Sequence, residues 1–517
     1  MFRTLPRSAD LAHLREEAKS LKKRAAAGDE QAVAFVDFHG GASARSASAR
    51  GPSTEAIKLA DVQFALARAY GFKSWPRLKA FVEAQAHTPE ERGNLLLKEL
   101  FGDNRALRLE LYERRAELPA DNIFVASVLG NVAAVESLLA ADPSLAQRLG
   151  GPKQTQAITY AAHSRFFLID ASYSARQQQI VKLLLANGAD PNSAAPNEEG
   201  DGSGRLSALY ACCRQPGNPA VARLLLDAGA NPDDGESLYH SSELADTTCL
   251  ELILAAGIPD EHREQCIVRA LDAENPAAIA LYLKYGTNPN HLHWALLRER
   301  SLTVIQLLVE HGANVNEVCK KHWLLERIEG LTPVQVAERG GAREIVEYLL
   351  AHGATDNRAP VDYLIGACWR EDEAAVHAIA HAHLLPRDHA NVAAAARSGR
   401  LKVVDLMLDA GFDIEARADD LDATALLYAA TTGDAAMVEL LLRRGARLDV
   451  EHKYGGQPLG SAVYCAAHFN TGRTTYGKTV RLLLDAGCIA RPEDLELALE
   501  HDLDDIVDVL KEHGITL

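Results

Sequence analysis

The chain has 517 residues, 47% apolar, 24% charged and only 6% aromatic, a composition that suits close-packed helices better than a β-sandwich. Its net charge of −17 is uneven: residues 1–90 carry 14 Lys and Arg against 10 Asp and Glu, which leaves −21 on residues 91–517. An acidic array repels nucleic acid, so any such role is confined to residues 1–90, and the absence of an 18-residue apolar run argues against a membrane-spanning helix.

The opening stretch "MFRTLPRSADLAHLREEAKSLKKR" is charged throughout, so it does not read as a secretory signal. Residues 7–27 predict an amphipathic helix that stops near Gly28. Residues 39–54, rich in Gly, Ser, Ala and Arg, predict a flexible connection. The segment "EAIKLADVQFALARAYGFKSWPRLKAFVEAQ" predicts two helices joined at Gly71, the second capped by Ser74 with Pro76 in its first turn. Arg68, Lys73, Arg77 and Lys79 permit a helix-turn-helix reading of this pair. Trp75 and Leu78 read instead as core, and residues 1–90 as a helical cap. Connecting helices are expected over 91–119, followed by a repeat array over 120–517.

Self-comparison reveals that array. "VKLLLANGADPN" (Val181–Asn192) returns as "VARLLLDAGANPD" (Val221–Asp233), "IQLLVEHGANVN" (Ile305–Asn316), "VEYLLAHGATDN" (Val346–Asn357), "VDLMLDAGFDIE" (Val404–Glu415), "VELLLRRGARLD" (Val438–Asp449) and "VRLLLDAGCIA" (Val480–Ala490). Each copy predicts a short helix ended by a glycine in the left-handed conformation. An earlier helix starts about 21 residues before many of these glycines; its clearest copy is "LTPVQVAERGG", with Thr332 and Pro333 at its start.

This two-part pattern resembles the ankyrin repeat, T-P-L-H-x-A-A followed by V-x-L-L-L-x-x-G-A-D-x-N, over roughly residues 120–517. The resemblance implies an all-α solenoid of about twelve irregular helix-pair repeats. "YGFKSWPRLK" is similar to a helical leader that precedes such arrays in many bacterial proteins. The spacing departs from the family's uniform period: glycines 188, 229, 257, 286 and 312 are 41, 28, 29 and 26 residues apart. The three short intervals leave no room for a projecting β-turn finger. The 188–229 finger is lengthened by "APNEEGDGSGR" and the 312–353 interval by "VCKKHWLLERIEG", while the repeat near Val376 lacks its glycine.

Chemistry-bearing motifs are few. "GRTTYGKT" (Gly472–Thr479) has the letters of a phosphate loop, but such a loop follows a β-strand. Here the preceding stretch reads as a helix and the motif as an insertion of about nine residues between two repeat helices. His377, His381, His383 and His389 offer imidazoles at helical spacing without a carboxylate or thiolate in register. Cys212 and Cys213 occupy the small A-A positions. The eight cysteines lack CxxC spacing and read as free thiols of a reducing cytosol, so the expected location is cytoplasmic. No catalytic set, cofactor motif or metal site emerges.

In the ankyrin resemblance, the x position of T-P-L-H-x-A tends toward the concave face. That implies partner contacts for Tyr160, His240, Arg269, Trp294 and Tyr428, residue types that dominate binding hot spots. Arg473, Tyr476 and Lys478 are expected as loop contacts. The function expected is a non-catalytic scaffold for a protein or peptide partner, basic where it touches. An alternative is a small-molecule or enzymatic pocket formed by finger-less repeats, the His291–Trp294 region and the inserted loops, including Ser164–Gln179.

Overall fold

Local capping chemistry starts several of the chain's helices. In the computed structural model, described over residues 10–39, 59–72, 74–85, 87–102, 104–197, 204–320, 326–379, 382–418, 421–469, 475–501 and 503–516, the first helix is Leu11–Ala26, with Ala12 N–H donating to the Asp10 carboxylate. Leu14, Ala18, Leu21 and Ala25 form its buried stripe, at the spacing of an amphipathic helix. A second helix, Glu30–His39, was not anticipated from the sequence; Asp29 caps it by accepting from Gln31 and Ala32. The expected pair follows as Leu59–Ala69 and Trp75–Gln85. All but the first residue of the 39–54 connection lie outside the described residues. Leu78 is fully buried, in a cluster with Leu14, Ala67 and Val82 against which Trp75 packs, so both are core residues of these helices.

The chain divides into two compact units, Met1–His262 and Arg263–Leu517. In the first, the N-terminal helices are followed by Pro89–Glu99, opened by a Thr88–Glu91 capping box, and by Arg105–Glu113. The repeat pairs Ile123–Leu129 with Val132–Ala141, Ala157–His163 with Tyr173–Ala186, and Ala208–Cys213 with Pro219–Asp227 come next. Gly188 and Gly229 end their helices at φ +86° and +93°, where a Cβ would strain the backbone. The lengthened finger is an antiparallel hairpin of Ala194–Pro196 and Arg205–Ser207, with Ala195 opposite Leu206. Cys212 and Cys213 are fully buried in the small positions.

The second unit continues the helix pairs, among them Leu292–Leu297 with Leu302–Glu310 and Pro333–Arg339 with Arg343–Ala351. Ala425–Thr431 with Ala435–Arg443, and Pro458–Phe469 with Tyr476–Asp485, extend the series. One apolar cluster runs from Leu364 to Leu510, so each pair buries its face against the next. The degenerate repeat survives as the short helix Glu373–Ile379, anchored by buried Val376.

The asparagines that close the repeat phrase explain its last letter. Asn192 Oδ1 accepts from Asn231 N–H at 2.7 Å in the first unit. Asn290 does the same for Asn314, and Asn316 for Thr355, both at 2.8 Å in the second. Each side chain thus satisfies a turn amide of the following repeat, which sets the stacking register.

Candidate interaction surface

Tyr160 and Tyr428, expected as groove anchors, are packing residues instead. Tyr160 is fully buried; its hydroxyl accepts from Lys153 N–H at 2.8 Å and donates to the Gly150 carbonyl at 3.1 Å. Burial pushes its pKa up to about 12. Tyr428 repeats the arrangement, donating to the Ala418 carbonyl at 3.0 Å. Gly150 pairs with Thr155 and Ala418 with Ala423 in short antiparallel bridges, so each tyrosine locks the turn of its own repeat. The turn folds over the ring and removes it from solvent.

His240 is half-buried between Glu236 at 3.3 Å and Glu243 at 3.7 Å. The ring of Tyr210, one residue out of the x register, meets it edge-on at 5.2 Å. Arg214 lies over Tyr210 at 5.8 Å. The pattern reading missed Tyr210 because it sampled only the x position, Ala211.

In the second unit, Arg269 is half-buried on the helix Asp260–Asp272. Trp294 is also half-buried; its indole Nε1–H donates to Asp272 Oδ1 at 2.9 Å. Arg298 stacks over the indole at 4.9 Å and lies 3.3 Å from Asp272. A carboxylate and a guanidinium therefore fix the indole orientation while part of the ring stays open.

The insertion Ser164–Gln179 packs on one side while Leu168 and Ile169 stay exposed. Its turn Phe166–Leu168 stacks Phe166 on Tyr112, 3.9 Å between centroids and 22° between planes. Hydrogen bonds, first from Ser172 and then from Tyr112, hold the Asp170 carboxyl down at about 2. Gln177 Nε2 donates to the carbonyls of Ala161 and Ser164, and Asn218 donates to its oxygen. Beside this insertion is a groove of about 1090 Å³, lined by Arg77, Arg105, Tyr112, Arg115, Ile169 and Asp170 among others. Arg77 pairs there with Glu110 at 3.2 Å and with Glu113. Lys79 is 3.6 Å from Glu83, whereas Lys73 lies outside the described residues.

"GRTTYGKT" begins outside the described residues, which include neither Gly472 nor Arg473. What precedes it is the helix Pro458–Phe469, as the insertion reading requires. Tyr476 is not a loop contact: it is 5% exposed, lies against Gly433 and donates to the Thr431 carbonyl at 2.7 Å. Lys478 is exposed and borders a groove of about 580 Å³ with Arg397, Gly433 and Thr475. Of the four histidines, His381 lies outside the described residues, and His389 Nδ1 accepts from Asp413 N–H at 3.0 Å.

Family models for ankyrin repeats match three segments: residues 205–235 as a single repeat, 252–360 as three copies and 392–442 as many copies. The chain is an ankyrin repeat protein. It is 26% identical over 242 residues to the ankyrin repeat and KH domain-containing protein mask-1 of Caenorhabditis elegans, an alignment covering 45% of this chain and 8% of that protein. The chain thus corresponds to a small part of that relative's length. A crystal structure of an ankyrin repeat domain from Acinetobacter baumannii AYE matches at 22% identity and TM-score 0.27, covering 35% of this chain and 97% of that domain. The human ASB11 ankyrin repeat domain matches at 22% identity and TM-score 0.23, covering 44% and 99%. Among the described residues no helix is long and apolar enough to cross a membrane.

Proposed function

We propose that the protein is a non-catalytic interaction scaffold that takes a protein partner along the first-helix faces of its repeats. Trp294 carries this reading: a large ring, half open and oriented by Asp272 and Arg298, has the composition of a binding anchor. The charge of −21 over residues 91–517 favours a partner that is basic where it touches. The eight free cysteines support a reducing, cytoplasmic location. The test is capture of partners from native extract by the full chain and by Trp294→Ala. Tenfold weaker capture with an unchanged melting temperature is expected; a lowered melting temperature with unchanged capture would make Trp294 a core residue and remove the reading.

A second reading rests on the 1090 Å³ groove and its Arg77, Arg105 and Arg115: a site for a small anionic molecule. Saturable thermal stabilisation by such a compound, abolished in Arg105→Ala, would favour it over the scaffold.

A further inference from the structure

Exposed aromatic rings gather at one place near the C-terminal end of the second unit. Tyr464 is 51% exposed and Phe469 is 65% exposed on the helix Pro458–Phe469. Their ring centroids are 6.2 Å apart, and His468 sits 4.4 Å from Tyr464. The neighbouring helix Pro492–Glu500 extends the patch, because His501, just past its end, meets His468 edge-on at 4.8 Å. Four rings thus form a continuous surface across the C-terminal ends of two packed helices. Burial explains the interior of these helices, where Leu459, Ala462, Val463, Leu495 and Ala498 are covered; it does not explain Tyr464 or Phe469.

The charge beside the patch is predominantly negative. Residues 491–517 contain nine Asp and Glu against two Lys and Arg, so 27 residues carry −7 of the chain's −17. Glu493, Glu496 and Glu500 are exposed on Pro492–Glu500, spaced so that they share a helix face. Open aromatic faces next to carboxylates are the surroundings that attract a guanidinium or ammonium group: the ring quadrupole and the carboxylate field act together.

We propose that this patch docks a cationic segment of the protein partner, with Arg or Lys side chains laid on Tyr464 and Phe469 and steered by the acidic last helices. The inference rests on the scaffold reading and adds a location and a chemistry, distinct from the Trp294 contact. Charge alone would draw a basic segment to any acidic surface; the exposed rings make this location specific.

The probe is a fluorescein-labelled ten-residue peptide alternating Arg and Leu, titrated into the full chain at 150 mM salt, with an otherwise identical Glu-for-Arg peptide as control. The basic peptide is expected to bind saturably and the acidic one not at all. Tyr464→Ala/Phe469→Ala keeps every charge and should weaken binding at least tenfold with an unchanged melting temperature. Glu496→Gln/Glu500→Gln should weaken it about threefold, and Trp294→Ala should leave it intact. Equal affinity for the aromatic double variant and the unaltered chain would mean diffuse attraction and overturn the proposal. Failure of the unaltered chain to bind the basic peptide would overturn it too. In either case the scaffold reading stands or falls separately, on partner capture by Trp294→Ala.

Discussion

Arg339 lies 6% exposed between two fully buried carboxylates, and replacing it by Met tests how the second unit is held. Its Nε–H donates to Asp362 and its Nη1–H to Asp388 Oδ1 at 2.7 Å. These partners belong to the helices Pro360–Trp369 and Pro386–His389. Asp362 also accepts from Ala359 N–H and Gln335, and Asp388 from Leu385 N–H. The arginine therefore ties together two carboxylates that are fixed by their own helix starts. Arg339→Met removes two charge-assisted hydrogen bonds, at roughly 1.5–3 kcal/mol each, and leaves two buried charges without their cation. A loss of about 3–5 kcal/mol is expected, the range for breaking a buried pair from one side. Arg339→Lys should recover only part of this, because a point charge lacks the fork that reaches both acids. Arg339→Met/Asp388→Asn should cost about 1 kcal/mol or more below the two single changes summed, since the neutral amide leaves no charge to strand. Urea titration gives the global loss, and amide exchange localises it to Pro360–Trp369, which matters where a long array does not unfold in one step. A loss below about 1 kcal/mol for Arg339→Met would refute this account of the network.

Three further outcomes follow from buried groups. Tyr160→Phe should destabilise the first unit by about 1–3 kcal/mol, because Lys153 N–H loses its buried acceptor; urea midpoints would show it, and partner capture should not change. Gly366→Ala should cost about 1–3 kcal/mol, measured the same way, because a Cβ there would run into the Glu338 carbonyl across the helix contact. Burial, and next the charge of Arg214, push the His163 pKa down to about 3. Between its ordinary value of 6.5 and about 3, the unfolded chain therefore binds a proton at this site that the folded chain refuses. Stability should fall as the pH is lowered through that window, by roughly 1.4 kcal/mol per unit from this group. His163→Leu should flatten the profile, and an unchanged slope would contradict the assignment.

Much of the fold was legible because it is local and repeated. The apolar spacing of "VKLLLANGADPN", the stop at Gly188 and the Thr332–Pro333 start each act within one or two helical turns, so letters alone carry them. The insertion reading of "GRTTYGKT" followed from the same periodicity. The site was less legible. Tyr160, Tyr428 and Tyr476 have the letters of anchors but lie beneath their own turns or the adjoining one, and nothing within a repeat tells an open ring from a covered one. Tyr464, His468, Phe469 and His501 escaped notice for the converse reason: they meet only when Pro458–Phe469 packs beside Pro492–Glu500.

By itself the sequence determined the class of element, the repeat, the breaks in its spacing and the acidic balance, all properties of residues near one another in the chain. Tertiary structure alone decided which aromatic rings are covered and which acids share one arginine. Those outcomes depend on the surface each repeat presents to the next, and Asp362 and Asp388 become partners of Arg339 only once three helices from separate stretches of chain are stacked.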